Sequence, residues 1–224
     1  MSAAFVAVRS PAVPGSRLRI VGSSFGENSR VLLDGRPVPV LKVAPAEVAV
    51  QIPWEAKKGD RPNLMLESGD GPFENAPMFL VIDEFLPVAE KLRAEDNVKL
   101  GFVTDALAFH ADLTRTVSSE DPAAPGETIH VRMTGLGPVS PPVATGEPAP
   151  DDPPARVLLP LRCRLSGIEM EIKSAMLEPG LVGLYRVSMV VPSNAGGSRA
   201  YLECGRGDLF YGIAVVAVGS APRP

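Results

Sequence analysis

The sequence is poor in the residue types that carry most enzyme chemistry. It contains two histidines, two cysteines and one tryptophan, and aromatic residues make up 5% of its 224 positions. Two cysteines are too few for a disulfide scaffold or for a cysteine-based zinc site. No apolar run approaches the ~20 residues that a membrane-spanning helix needs, and no G-x-G-x-x-G motif indicates a nucleotide site. The sequence therefore predicts no cofactor, no bound metal and no membrane insertion.

An excess of positive charge is also missing. The 22 Lys and Arg residues are outnumbered by 26 Asp and Glu residues, which gives a net charge of −4. This balance provides no electrostatic footprint for nucleic acid. Residues 1–10 lack a positively charged segment followed by an apolar one. The sequence thus fits a cytoplasmic protein as well as an exported one whose leader has been removed.

Proline and glycine are the residue types in excess. The 24 Pro and 21 Gly are spread between short apolar segments instead of forming one tract. Segments 17–21 (RLRIV) and 47–52 (EVAVQI) alternate polar and apolar side chains, the period of a strand with one buried face. Asp34-Gly35 favours a two-residue hairpin turn in which both residues need positive φ. Short strands between frequent turns predict an all-β sandwich.

Five sequence blocks of the first half recur in the same order in the second half. RLRIVGSSFG at 17–26 corresponds to TIHVRMTGLG at 128–137, and VAVQIP at 48–53 corresponds to YRVSMVVP at 185–192. A repeat of this length indicates duplicated domains, because its period is too long for a solenoid. The second copy is longer, and its extra residues fall largely in a Pro-rich loop at 138–160.

The predicted organisation is two Ig-like β-sandwiches, at 1–83 and 121–224, joined by a linker at 84–120. The stretch VAEKLRAEDNVKL at 88–100 has the Ala, Glu, Lys and Leu content of a short helix, so the linker is predicted to be partly helical. Apolar character returns at 102–113. Part of that segment is expected to pair as strands that bridge the two halves.

Several of these blocks resemble an uncharacterised bacterial family of tandem Ig-like domains of the IPT/TIG type. They are PGE at 125–127, MTGLGPV at 133–139, PPVATGEPAP at 141–150, LEPGLVGLYRVSMVVP at 177–192 and, in the first half, IPWE at 52–55. The resemblance covers residues 10–218. Members of that family usually form the C-terminal end of secreted multidomain proteins of soil bacteria. The resemblance therefore implies an extracellular or cell-surface location and no assigned activity.

The candidate residues for chemistry are few. His110 and Asp112 stand two positions apart, so on a strand they would share a face, and with a hydroxyl nucleophile they would form a hydrolase site. A half-exposed structural histidine is the competing interpretation. Asp151-Asp152 lacks the alternating oxygen ligands of a calcium loop.

Trp54 and the Pro-rich loop are the candidate contacts for a ligand or partner. Trp54 follows a strand-ending proline, where it would either stack on a sugar ring or fill the interface with the adjacent domain. In the loop, Pro138, Val139, Pro141 and Pro142 would either present a stiff binding surface or form a strap that covers a sheet edge.

Cys163 and Cys204 are predicted on two different strands of the second sandwich. They would form one disulfide in an exported protein, or two buried thiols in a cytoplasmic one.

Without a convergent polar constellation, the sequence predicts a non-catalytic extracellular module. It would act in structure, adhesion or assembly through strand edges and the Pro-rich loop, with a protein partner or with itself. The alternative is a carbohydrate-binding module that uses Trp54, with a glycan as its ligand.

Overall fold

The computed structural model describes residues 5–8, 12–23, 25–68, 71–72, 78–91, 105–195 and 197–219. Every regular element within these ranges is a β-strand. In chain order the strands are β1 Phe5–Val8, β2 Arg17–Gly22, β3 Arg30–Leu33, β4 Arg36–Pro37, β5 Val40–Ala44, β6 Glu47–Gln51, β7 Asn63–Ser68, β8 Gly71–Pro72, β9 Met78–Phe79, β10 Val88–Ala89, β11 Ala108–Phe109, β12 Thr128–Thr134, β13 Val139–Ser140, β14 Arg156–Val157, β15 Arg162–Leu165, β16 Ile168–Leu177, β17 Tyr185–Val190, β18 Gly197–Arg206 and β19 Leu209–Val218.

The first half packs two antiparallel sheets against each other. One sheet has the strand order β1-β2-β6-β5, and the other has the order β4-β3-β7-β8 with β9 also paired to β7. Alternate residues point into the space between the sheets, as the two-residue period of a strand requires. The first core contains Leu18, Ile20, Val31, Leu33, Val48, Val50, Ile52, Leu64 and Leu66.

The second half is built on one ten-stranded sheet that bends back on itself. Its order is β10-β12-β17-β16-β15-β18-β19, with β11, β13 and β14 attached to it. The bend lies in β16, which pairs with β15 near its start and with β17 near its end, and the register shifts between Ile172 and Ser174. The second core fills the space inside the bend with Ile129, Val131, Met133, Cys163, Leu165, Tyr185, Val187, Met189, Leu202, Cys204 and Val216, among others.

The strand pairings of the two halves correspond to each other. β2 pairs with β6 as β12 pairs with β17, and β3 pairs with β7 as β15 pairs with β18. Asp34-Gly35 and Ser166-Gly167 occupy equivalent hairpin turns, and all four residues have positive φ. This correspondence agrees with the sequence repeat, whereas duplication of a domain and the exact domain boundaries stay predictions.

The prediction of a partly helical linker is wrong. Val88 and Ala89 form β10, which pairs with Thr134 and Met133 of β12, and Lys91 bridges to Ala106. Tertiary pairing overrides helix propensity here, since the second sheet offers an edge to which the segment can bond. The rest of the predicted helix, at 92–100, lies outside the described residues.

The predicted linker also contributes to the second core instead of lying between two cores. Phe85, Ala89, Ala108 and Val117 are buried members of that core, and the amide of Ala106 donates to the carbonyl of Val215 in β19. Among the described residues, no helix is long and apolar enough to cross a membrane.

Candidate functional site

The candidate site is the junction between the two cores. We use this name for Gly15, Ser16, Arg17, Gln51 and Trp54 from the first half together with Thr134, Gly135, Thr145, Gly146 and Gly183 from the second. The junction is polar, and buried hydrogen bonds are worth most where water is excluded.

One group of hydrogen bonds joins the start of β2 to the end of β12. The amide of Arg17 donates to Thr134 Oγ1 at 3.0 Å and to the carbonyl of Gly183 at 3.2 Å. The amide of Gly135 donates to Ser16 Oγ at 2.9 Å, and Ser16 is fully buried. These bonds run directly between the two halves, so they fix the relative position of β2 and β12.

A second group joins the Pro-rich loop to the first half. Gln51 is 1% exposed; its Nε2 donates to the carbonyl of Gly15 at 3.1 Å, and its Oε1 accepts from the amide of Gly146 at 2.6 Å. Thr145 Oγ1 accepts from the amide of Trp54 at 3.0 Å and donates to Glu55 at 2.9 Å. The loop is therefore bonded to the first half at two adjacent residues.

Trp54 lies inside this junction and packs against the second core. A Cβ atom added to Gly15 would lie 2.1 Å from the indole ring, so the ring covers this glycine directly. The indole Nε1 is buried and has no hydrogen-bond partner among the described residues. The Trp54 side chain as a whole is half-buried. The geometry favours the interpretation of Trp54 as an interface residue.

The other candidate residues of the Pro-rich loop differ in their exposure to solvent. Val139 is buried in β13, which pairs with β14, whereas Pro138 and Pro142 are exposed and Pro141 is half-buried. β14 in turn pairs with β16 through Arg156 and Met176. Part of the loop is thus a strap along its own sheet, and another part contacts the first half.

The structure does not bring His110 and Asp112 together. His110 is 3% exposed, and its Nδ1 lies 2.7 Å from Glu127 Oε1. Asp112 instead accepts from the amides of Thr114 and Arg115 in a turn. These backbone bonds, together with the Arg115 side chain, lower the pKa of Asp112.

The hydrogen-bond partners of His110 give no support to hydrolase chemistry. Within the described residues they are Glu127 Oε1 and the Asp121 carbonyl, and neither is a hydroxyl nucleophile. Burial opposes the charge on Glu127, but bonds from the Ala124 amide and from His110 outweigh that effect and lower its pKa. The pair is a satisfied buried contact.

A second histidine does contact a serine, in a setting that does not fit nucleophilic catalysis. His130 Nδ1 lies 2.8 Å from Ser188 Oγ, and the two residues are direct cross-strand partners on β12 and β17. A catalytic serine needs an exposed, strained turn, whereas Ser188 is 6% exposed in mid-strand. Segment 22–26, GSSFG, matches G-x-S-x-G in letters, but the described residues that follow it form a turn and lead into β3, not into a helix.

Near His130 and Ser188, the carboxylate of Glu178 lies between two arginines. Glu178 is 8% exposed and its oxygens lie 3.4 Å from Arg132 Nε and 3.1 Å from Arg186 Nη1. Arg132 also stacks over Phe109, 4.7 Å from the ring centroid. The two arginines compensate the charge of this buried carboxylate, as a buried ion requires.

Cys163 and Cys204 form a disulfide between β15 and β18 in the structure. They are direct cross-strand partners, and both side chains are fully buried in the second core. No group of three or more His, Cys, Asp or Glu residues that could hold a metal ion occurs in the described part of the chain. Asp151 and Asp152 lie exposed in a turn.

The residues that hold the junction together carry little signal in the sequence. Ser16, Thr134 and Thr145 carry no motif. Gln51 is a polar residue at the end of an alternating strand, and the alternation places it correctly on the side of β6 that faces away from the first core. Nothing in the alternation indicates that the second half covers that side.

Comparisons with known proteins find structural similarity only. No family model and no curated protein matches the chain. SGBP-B from the mixed-linkage glucan utilization locus of Bacteroides ovatus, solved with a mixed-linkage heptasaccharide, matches with 11% identity and a TM-score of 0.41 over 96% of this chain and 45% of that one. The surface glycan-binding protein PbSGBP-B from Prevotella bryantii matches with 10% identity and a TM-score of 0.29 over 95% and 40%.

Titin domains z1z2 in complex with telethonin match with 13% identity and a TM-score of 0.26 over 98% of both chains. By contrast, the matches to the two glycan-binding proteins cover less than half the length of those proteins. With TM-scores this low, the description of the fold rests on the strand pairing alone, and membership of the IPT/TIG-type family stays a prediction.

Proposed function

We propose that this chain is a non-catalytic β-sandwich module with a structural role, in which two cores are held as one stiff unit. The observation that carries the proposal is the hydrogen-bonded junction, above all the buried bridge from Gly15 through Gln51 to Gly146. A spacer needs a fixed geometry between its parts, and buried bonds between the two halves provide it.

The disulfide supports an extracellular or cell-surface location for this module. Disulfides persist in oxidising compartments and are rare in the cytosol. A stiff module of this kind would join or space other parts of an exported assembly. The end strands β1 and β5 of the four-stranded sheet are the edges through which a protein partner or a second copy would add a strand.

Carbohydrate binding through Trp54 is not favoured by the geometry. The indole covers Gly15 and packs on the second core, so a sugar would have to displace it from the junction. Titration with soluble β-glucan oligosaccharides checks this point, because Trp54 is the only tryptophan. A saturable change in tryptophan fluorescence would replace the structural proposal with the glycan-binding one.

The stiffness of the module is tested by small-angle X-ray scattering on the purified chain. We expect one arrangement of the two halves to fit the profile of the wild type. Thr145→Val combined with Gln51→Leu removes the loop bonds and should broaden the distance distribution, while Ser140→Ala, an exposed change in the same loop, should leave it unchanged. A wild-type profile that requires many arrangements would overturn the proposal.

Assembly is tested separately by light scattering over a concentration series, with and without reductant. Growth into oligomers would show that the module also self-associates, and charged substitutions on β1 and β5 would then locate the edge. If the chain stays monomeric at all concentrations, self-association is excluded, and the spacer role would then require a different protein as its partner.

A further inference from the structure

Next to the junction, the outer side of the first half carries a small polar cavity of about 270 Å³. Its floor is Ala49, whose neighbours Val48 and Val50 point into the first core, so that Ala49 points away from it. In the sheet register Ala49 lies directly opposite Arg19 on β2 and Lys42 on β5. The short Ala side chain between two long ones leaves the hollow, and segment 90–91 lines another side.

The charge of the cavity has the opposite sign to that of the chain. Four cationic residues line it (Arg17, Arg19, Lys42 and Lys91) against two carboxylates (Glu47 and Glu90), whereas the whole chain has a net charge of −4. Glu47 is already engaged, because it pairs with Arg19 and lies 3.7 Å from Lys42. The cationic excess is therefore local and concentrated in a concave site, where field lines are focused.

Arg17 lies half-buried where the cavity meets the junction. One Nη of Arg17 donates to the carbonyl of Val182 at 3.3 Å, while its Nε is buried and has no hydrogen-bond partner among the described residues. Burial is the main cause that lowers the pKa of Arg17, and the nearby positive charges of Arg132 and Arg19 lower it further. The negative charges of Glu90 and Glu47 oppose this change without cancelling it. A guanidinium in this state gains from an anion that accepts from it.

We propose that this cavity binds a small oxyanion, a carboxylate, phosphate or sulfate group, through Arg17 and Lys42 above the Ala49 floor. Roughly 300–1,000 Å³ is typical of pockets for drug-sized ligands, so a site of about 270 Å³ suits a small anion or one acidic group of a larger molecule. Since Arg17 also bonds to both halves at the junction, a bound anion would stabilise the contact between them. This inference goes beyond the structural role and does not depend on it.

The test is thermal unfolding with millimolar phosphate, sulfate, acetate or citrate, each against sodium chloride at equal ionic strength. Because phosphate and sulfate also stabilise folded proteins by exclusion from the surface, the decisive quantity is the difference between variants at one anion concentration. Lys42→Met removes a charge from a side chain that is 59% exposed, so this variant should fold. Arg36→Met, an exposed arginine on β4 of the opposite sheet, is the matched control.

We expect at least one oxyanion to raise the Tm of the wild type and of Arg36→Met by roughly 3 °C or more. In Lys42→Met and Arg17→Met the shift should largely vanish, with Kd weakened about tenfold or more in calorimetric titration. A larger Tm shift with the tetrahedral anions phosphate and sulfate would identify that kind of ligand, whereas a larger shift with acetate or citrate would identify a carboxylate. Equal shifts in Lys42→Met and Arg36→Met, or no shift beyond chloride in the wild type, would overturn the proposal, and Lys42→Met decides if Arg17→Met does not fold.

Discussion

At the scale of single residues, two features of position 15 require glycine: its backbone conformation and the neighbouring ring of Trp54. Its φ is +75°, a conformation that costs an L side chain about 1 kcal/mol, and Trp54 occupies the space of a Cβ. Gly35 has a φ of +74°, and a Cβ added there would meet nothing within 4 Å, so it isolates the backbone contribution.

We therefore expect Gly15→Ala to lower the free energy of unfolding by about 1–3 kcal/mol more than Gly35→Ala does, because only the first change overpacks the junction. Urea denaturation of the two variants measures this difference. Tryptophan emission should shift to the red in Gly15→Ala alone. Equal losses in the two variants would mean that Trp54 does not press on Gly15.

The cysteine pair allows a second prediction at this scale. Cys163 and Cys204 are 41 positions apart, and in the chain-entropy model a cross-link that closes such a loop stabilises the fold by about 4 kcal/mol. Cys163→Ala with Cys204→Ala should lose an amount of this order in urea denaturation, and reductant should destabilise the wild type but not the double variant. Titration of two free thiols per unfolded, unreduced chain would contradict the prediction.

At the scale of elements, the Pro-rich loop is held by β6 through one side chain. Gln51 accepts from the Gly146 amide at 2.6 Å, and the replacement of Gln51 by Leu leaves this amide and the Gly15 carbonyl without a partner. We expect Gln51→Leu to cost about 1–3 kcal/mol and to speed hydrogen exchange at the Gly146 amide. Exchange at the Val157 amide on β14 should change little, and unchanged exchange at Gly146 would show that the loop is held by other contacts.

The elements also show why the sequence predicts strands better than the contacts between them. Alternation along β2 and β6 identifies the side chains of the first core, because burial of one face is a local property of a strand. The partner of a segment is not local. The helix-favouring composition around Val88 yields to pairing with Met133 and Thr134, which lie more than forty positions away.

The candidate site illustrates the same limit. Spacing suggests that His110 pairs with Asp112, yet the turn that follows directs Asp112 to its own backbone amides, and His110 reaches Glu127 instead. Likewise, the sequence indicates that Trp54 ends a strand but not that a loop from 138–160 meets it. Such contacts depend on the docking of the two halves, which no periodicity encodes.

At the scale of the whole molecule, the apolar cores and the polar junction contribute to stability in different ways. The two cores consist of apolar side chains from their own halves, apart from Trp54, which reaches the second core from the first. Besides the packing of Trp54, the contact between them includes hydrogen bonds with defined geometry. Apolar packing is non-directional, so the polar contact is what makes the relative position of the halves specific.

The pH dependence of stability is also a property of the whole chain, because several shifts have the same sign. Burial lowers the pKa of His130 below its ordinary value of 6.5, and hydrogen bonds to Arg162 lower that of Glu169 below 4.5. In both cases the pKa of the folded chain is lower than that of the unfolded chain, so the unfolded chain binds the proton at a higher pH. The stability from this difference is fully present above the unfolded pKa and is lost as the pH falls through the folded pKa. We expect the free energy of unfolding to fall through His130 as the pH drops below about 6.5, and to fall again through Glu169 and Glu127 below about pH 4.5. His130→Gln should flatten the upper window in urea denaturation and leave the lower one, whereas a slope that persists there would assign the titration to another group.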